Sequence, residues 1–150
     1  MPLLDTSKVT DMRYMFRRCT SLATIPLLNT SAVIDMNDMF NSCTNLTEIP
    51  LLDTSNVTNT SNMFSGCTSL TTIPLLDTSK VSTMNSMFYN CISLSDESLN
   101  NILAMCTNAT KIQSVNKTLK YISLTSDQAT KCTTLSNYQA FLDAGWTTGY

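Results

Sequence analysis

Four prolines, Pro2, Pro26, Pro50 and Pro74, stand 24 residues apart, and each carries a nearly identical stretch of chain with it. A repeat this regular limits the fold more than any other feature, because a unit of that size cannot bury a core alone and gains one only by stacking on its neighbours. The third unit reads Pro50-Leu51-Leu52-Asp53-Thr54-Ser55-Asn56-Val57, then Met63-Phe64-Ser65-Gly66-Cys67-Thr68-Ser69-Leu70-Thr71-Thr72-Ile73, with counterparts at nearly every position of the others. At 150 residues the chain is one domain's length. A single architecture is therefore expected over 1–150, with repeats at 2–25, 26–49, 50–73 and 74–97, irregular coils at 98–125 and a cap at 126–150.

Within each unit, Leu22, Ile25 and Leu27 stand in the L-x-x-L-x-L arrangement of a leucine-rich-repeat strand, as do Leu46, Ile49, Leu51 and Leu70, Ile73, Leu75. Strand alternation puts Ile25 and Leu27 on one face, where they stack as a parallel ladder. The Asp-Thr-Ser that follows, Asn29-Thr30-Ser31 in the second unit, turns the chain through an Asx side chain accepting a backbone N–H two residues on. Val33, Met36, Met39, Phe40, Cys43 and Leu46 then suit short helical or 3₁₀ turns with one inward face. The expected fold is an α/β solenoid: a leucine-rich-repeat-like right-handed superhelix with a parallel β-sheet face, short helical or 3₁₀ turns on the convex side and a C-terminal helical cap.

The period fades after Leu94, but Cys91-Ile92-Ser93-Leu94, Cys106-Thr107-Asn108-Ala109 and Cys132-Thr133-Thr134-Leu135 keep the C-x-x-L slot, so all six cysteines are assigned to one structural position. Leu119, Ile122 and Leu124 revive the strand pattern, and Ala109, Ile112 and Val115 form a weaker one. Leu99, Ile102 and Leu103 lie at helical spacing in Asp96 to Met105, behind a Ser95 or Asp96 cap. Ser126 to Ala144 reads as one helix, with Gly145 as its C′ residue, closing the last coil together with Trp146. At the other end the chain starts in mid-repeat with no polar cover. Two readings stand for that end: a fragment of a longer protein, or an edge that packs against something, self-association included.

The function classes are narrowed by what is scarce. Only 13% of residues are charged and the net charge is −2, which gives no electrostatic reason to approach nucleic acid or an anionic membrane. No apolar run reaches the roughly 18 residues of a membrane span, so membrane insertion is not expected. Histidine is absent, which removes the commonest general base and metal ligand. No basic segment precedes an apolar one at the N-terminus, so an export signal is expected to lie outside this chain or to have been removed.

Matching cysteines on successive rungs face the same way, poor geometry for a disulfide, and read as buried thiols with no paired spacing for zinc. Met15, Phe16, Met39, Phe40, Met63, Phe64, Met87 and Phe88 read as core. The ladder of Asp5, Asn29, Asp53 and Asp77 could bind calcium, but a local turn role explains it better. The sequons Asn45-Leu46-Thr47 and Asn56-Val57-Thr58 matter only in a eukaryotic secretory pathway. The candidate binding face is the outward side of the strands: Thr24, Pro26, Leu28, Glu48, Pro50, Leu52, Thr72, Pro74 and Leu76. The alternative turns Leu28 and its equivalents inward, with proline breaking the ladder. Asp127, Lys131 and Asp143 read as solvated helix charges, and no nucleophile and base pair assembles, so no enzyme and no cofactor or metal is expected.

The unit Met-Phe-x-x-Cys-x-x-Leu-x-x-Ile-Pro-Leu-Leu-Asp-Thr-Ser-x-Val resembles the BspA-like bacterial surface leucine-rich repeats, in the variant found in mycoplasma and gut-bacterial surface proteins. The likeness covers residues 2–94, with departures at Asn29, Ala32 and Thr60 and from Ser95 onward. It implies an extracellular or cell-surface adhesive protein with no catalytic residues to carry over. The expectation is a non-enzymatic binding or adhesion module for a protein or glycan ligand on a host or neighbouring cell. The alternative is a structural spacer or the receptor-binding tip of a larger surface protein or phage tail fibre.

Overall fold

A computed structural model describes residues 4–112 and 121–149. Successive repeats lie on one another in register, and their joining is clearest along the Met-Phe side. The N–H groups of Met36, Asp38, Phe40 and Ser42 donate to the carbonyls of Asn59, Ser61, Met63 and Ser65 in the next coil, at 3.0, 3.0, 2.9 and 2.7 Å. The intervening N–H groups of Met39, Asn41 and Cys43 instead turn back to Met36, Asp38 and Phe40, at 3.2, 3.1 and 3.1 Å. Donors therefore alternate between their own coil and the next.

That alternation has a backbone cause. A run of right-handed residues would send every N–H back into the same turn, as in a helix. Here Asp38 and Ser42 have φ of 56° and 62°, and Tyr14, Arg18, Asn62, Gly66, Ser86 and Asn90 share the left-handed region at the equivalent positions. Asn, Asp and Gly tolerate that region best, and one of these fills half of the eight positions.

The parallel sheet face expected from the repeats is absent, and the α/β solenoid assignment is overturned. Among the described residues, helices occur only at α1 (Asp96–Asn108), α2 (Ser126–Cys132) and α3 (Tyr138–Asp143), and strands only at β1 (Tyr121–Ser123) and β2 (Thr147–Gly149). Parallel pairing between repeats shrinks to single residues, Asp11 with Asp35, Asp35 with Asn59, Asn59 with Thr83 and Glu48 with Thr72. Residues 50–53 and 74–77, placed at the end of the expected strands, make no backbone–backbone hydrogen bond to any described residue. Proline is the reason: it has no N–H to donate and holds φ away from the sheet value. The expected 3₁₀ segments are also turns rather than helix.

What fills the stack matches the expected core. Phe16, Phe40, Phe64 and Phe88 form a column with centroids 5.4, 5.6 and 5.7 Å apart and rings within 14° of parallel. Stacking of this kind adds to the stabilisation from burial. Beside it, the Sγ atoms of Cys43, Cys67 and Cys91 donate to the carbonyls of Phe16, Phe40 and Phe64 at 3.0, 3.1 and 3.0 Å. Burial pushes Cys43 up to about 11 and Cys67 to about 12, so both stay protonated at neutral pH. Cys19 is exposed, and Cys106 and Cys132 are buried on α1 and α2. The six cysteines do not share one slot.

α1 forms where the spacing of Leu99, Ile102 and Leu103 predicts it and runs three residues past Met105. Ser95 caps it, its Oγ accepting from the Ser98 N–H at 3.2 Å. The single tail helix expected from Ser126 to Ala144 is two. α2 opens with a capping box, Thr125 Oγ1 accepting from the Gln128 N–H and Gln128 Oε1 from the Thr125 N–H. It ends where Thr133 and Thr134 donate their hydroxyls to the carbonyls of Thr130 and Lys131 at 2.8 and 2.9 Å, competing with helix continuation. Gln128 Nε2 donates to the Cys91 carbonyl, tying α2 to the last regular coil. Gly145, at φ 83°, follows α3 as the expected C′ residue, and Trp146 is buried against Phe141. Ala109 and Ile112 sit just beyond α1, and no strand forms there. β1 contains Ile122 but pairs with β2, Tyr121 opposite Thr147, rather than with a preceding coil. Val115 and Leu119 lie outside the described residues.

Candidate binding face

The segment from Ile to Ser in each repeat builds the face on which the sequence places a site. Ile25, Ile49 and Ile73 are buried, and so are Leu28, Leu52 and Leu76, at 4%, 2% and 2% exposure. The three leucines named as candidate surface residues are therefore core, and the inward alternative for them is the correct one. Leu27, Leu51 and Leu75, assigned to the inward strand face, are 72%, 65% and 50% exposed. Burial recurs at three residues, from Ile25 to Leu28, and not at two. Three is the period of a polyproline II segment, the conformation that Pro26, Pro50 and Pro74 favour.

The remaining candidates do reach the surface. Thr24, Pro26, Glu48 and Thr72 are exposed, and Pro50 and Pro74 are half-buried. Proline rings and the Leu27, Leu51 and Leu75 side chains thus make an apolar stripe that runs across the stack. Period-two reasoning missed its leucines. The signal that could have found them is the pair of consecutive leucines after proline, only one of which can point into the core.

One residue beyond the buried Leu28, Leu52 and Leu76 lie Asn29, Asp53 and Asp77, and Asp5 holds the same position after Leu4, which is 59% exposed. Each uses Oδ1 to accept the N–H two residues on, from Ser7, Ser31, Ser55 and Ser79 at 3.0, 3.2, 3.0 and 2.8 Å. This is the local turn role expected of them. The serine hydroxyl first and the backbone N–H second hold the Asp5 and Asp53 carboxyls below the ordinary 3.8, and for Asp77 the Ser79 backbone bond is the larger cause. The next residue of each segment is a buried threonine. Thr6, Thr54 and Thr78 donate their hydroxyls to the carbonyls of Asn29, Asp77 and Met105. Thr30 is buried to the same degree, but its hydroxyl has no partner.

The C-terminal charges are dispersed rather than gathered. Lys131 Nζ pairs with Asp96 at 3.1 Å and Asp143 accepts from Gln139 at 2.8 Å. Among the described residues, no cluster of three or more His, Cys, Asp or Glu is arranged to hold a metal ion, and no helix is long and apolar enough to cross a membrane.

No curated protein matches the chain. No solved structure matches it either. Residues 2–102, which contain all four regular repeats and about the first half of α1, match the family described as Mycoplasma protein of unknown function, DUF285. That span is more than half of the 150 residues, and the chain belongs to this family.

Proposed function

We propose that the chain is a non-catalytic binding module that uses the Leu27, Leu51 and Leu75 stripe to hold a protein ligand. The observation that carries the reading is the exposure of those three leucines at identical positions in successive coils, while their immediate neighbours Leu28, Leu52 and Leu76 are buried. Aliphatic side chains left in water at fixed intervals cost solvation and are characteristic of interaction surfaces. Their apolar character favours a protein ligand over a glycan. The likeness of the repeat to BspA-like surface repeats supports a cell-surface setting and an adhesive role.

A protein and glycan array, probed in parallel with the wild type and a Leu27→Ser, Leu51→Ser, Leu75→Ser variant, tests the reading. Ligands held by the wild type are expected to be lost by the variant. An array on which nothing bound depends on those leucines overturns it.

A further inference from the structure

The leucine stripe lies along an open groove that is also lined by Asp5, Asn29, Asp53 and Asp77, three of the four acidic. Leu27 and Leu51 line one stretch of it with Asp5 and Asp53, and Leu51 and Leu75 line the next with Asp53 and Asp77. No Lys or Arg lines either stretch. Each aspartate engages only Oδ1 in its turn, so Oδ2 is left for a ligand. Lys80 donates its Nζ to Asn56 Oδ1 in the preceding coil at 2.7 Å and lines neither stretch, although its charge is a lesser influence on the Asp53 and Asp77 carboxyls.

The step from coil to coil selects the shape of a ligand that runs along the stack. Coil-to-coil steps read from the phenylalanine column are 5.4–5.7 Å. An α-helix repeats every turn at about 5.4 Å, whereas alternate side chains of an extended strand are roughly 6.6–6.8 Å apart. Over two steps of that column a helix stays within about half an ångström of register, and a strand runs out by about 2 Å.

Resting on the reading of the leucine stripe as a binding face, we propose that the groove takes a cationic amphipathic α-helix of a protein partner. Its apolar residues, at i, i+3 or i+4, and i+7, lie on Leu27, Leu51 and Leu75. Its Lys or Arg residues along one flank reach Asp53 and Asp77 on successive turns and Asp5 two turns before Asp53, with Asn29 as the uncharged position between. This is helix-in-groove recognition, with the aspartates setting the helix's orientation and sign of charge.

The test uses the full chain and three N-acetylated, C-amidated peptides of about 18 residues, read by fluorescence anisotropy. One contains Leu and Lys at helical spacing, one has the same composition in strict alternation, and one has Glu in place of Lys. The helical Leu/Lys peptide is expected to bind at least tenfold more tightly than the other two and to weaken as salt rises. Leu51→Ser, or Asp53→Asn with Asp77→Asn, is expected to weaken it at least tenfold. Asn29 already makes the same turn, so the asparagine variants keep the fold, and Leu27→Ser serves as a second leucine variant. Helical and alternating peptides binding alike, or binding untouched by all these variants, overturns the proposal. If no peptide binds while array ligands still require the leucines, the cationic helix is wrong and the binding face stands. If the array ligands ignore the leucines too, both fail.

Discussion

Thr60 occupies the position that Met12, Met36 and Met84 fill in the other coils, and only 1% of it is exposed. Its Oγ1 is buried with no hydrogen-bond partner among the described residues. A hydroxyl removed from water without a partner costs roughly 1–3 kcal/mol. Thr60→Val keeps the branched shape and deletes the hydroxyl, while the backbone bonds through the Thr60 N–H to Thr83 and the Thr60 carbonyl to Met63, at 2.9 and 3.1 Å, are unaffected. The substitution is expected to stabilise the fold by about 1 kcal/mol, which for a chain of this length raises Tm by roughly 2–4 °C. Thr54 supplies the contrast. It is equally buried, but its hydroxyl donates to the Asp77 carbonyl at 2.9 Å. Thr54→Val removes that bond and leaves a carbonyl short of a donor, a loss of about 1 kcal/mol. Thr30→Val, in the same row as Thr54 but without a partner, should follow Thr60 and not Thr54. Thermal melts and urea titrations with unchanged m-values would measure all three. Destabilisation of Thr60→Val and Thr54→Val by the same amount would refute the reasoning, since it would mean that the Thr60 hydroxyl is bonded in solution.

Three further outcomes are expected. Gly66 has φ 77°, and a Cβ there would sit 3.4 Å from Ser42 Oγ, so Gly66→Ala should lower stability by about 1 kcal/mol or more in urea titrations; an unchanged midpoint would rule out the left-handed turn. Asp5, Asp53 and Asp77 have lowered pKa values in the fold, so their contribution is present above the ordinary value near 3.8 and is lost as pH falls through the lower folded values. Melts taken from pH 6 to pH 2 should therefore show Tm falling on the acid side, and less steeply when all three are changed to Asn. Cys19 is exposed whereas Cys43, Cys67, Cys91, Cys106 and Cys132 are buried, so a thiol reagent at pH 8 should label one cysteine in the native protein and six in denaturant.

The parts of the fold that depend on period were legible in the sequence. The spacing of Met39-Phe40, Cys43 and Leu46 states which side chains meet in the stack, and the phenylalanine column and cysteine bonds follow it. α1 was legible because Leu99, Ile102 and Leu103 keep helical spacing behind a serine cap. The turn backbone was not. Its left-handed positions are held by Tyr14, Arg18, Ser42 and Ser86 as well as by Asp38, Asn62, Asn90 and Gly66, and a Tyr, Arg or Ser does not announce such a position in sequence. The break between α2 and α3 was hidden for a related reason, since Thr133 and Thr134 end α2 through local hydroxyl bonds that do not disturb the apolar spacing around them.

The errors about the sheet and about the binding face have one cause. Reading Leu22, Ile25 and Leu27 as a strand assumes that the residue between Ile25 and Leu27 takes part in a ladder, and that residue is proline. Without its N–H, and with φ held near the polyproline value, the segment cannot exchange ladder bonds with its neighbours. Its side chains recur at three residues, so Leu28 turns in beside Ile25 and Leu27 turns out. Since the same proline stands at 26, 50 and 74, the outward leucine recurs in the second, third and fourth units, and a local interruption of pairing becomes a continuous apolar stripe. The Asx turn that follows places a carboxylate two residues from each outward leucine in the third and fourth units. The residue that denies the regular coils a shared β-sheet is thus also the one that sets Leu51 and Leu75 beside Asp53 and Asp77 on the surface.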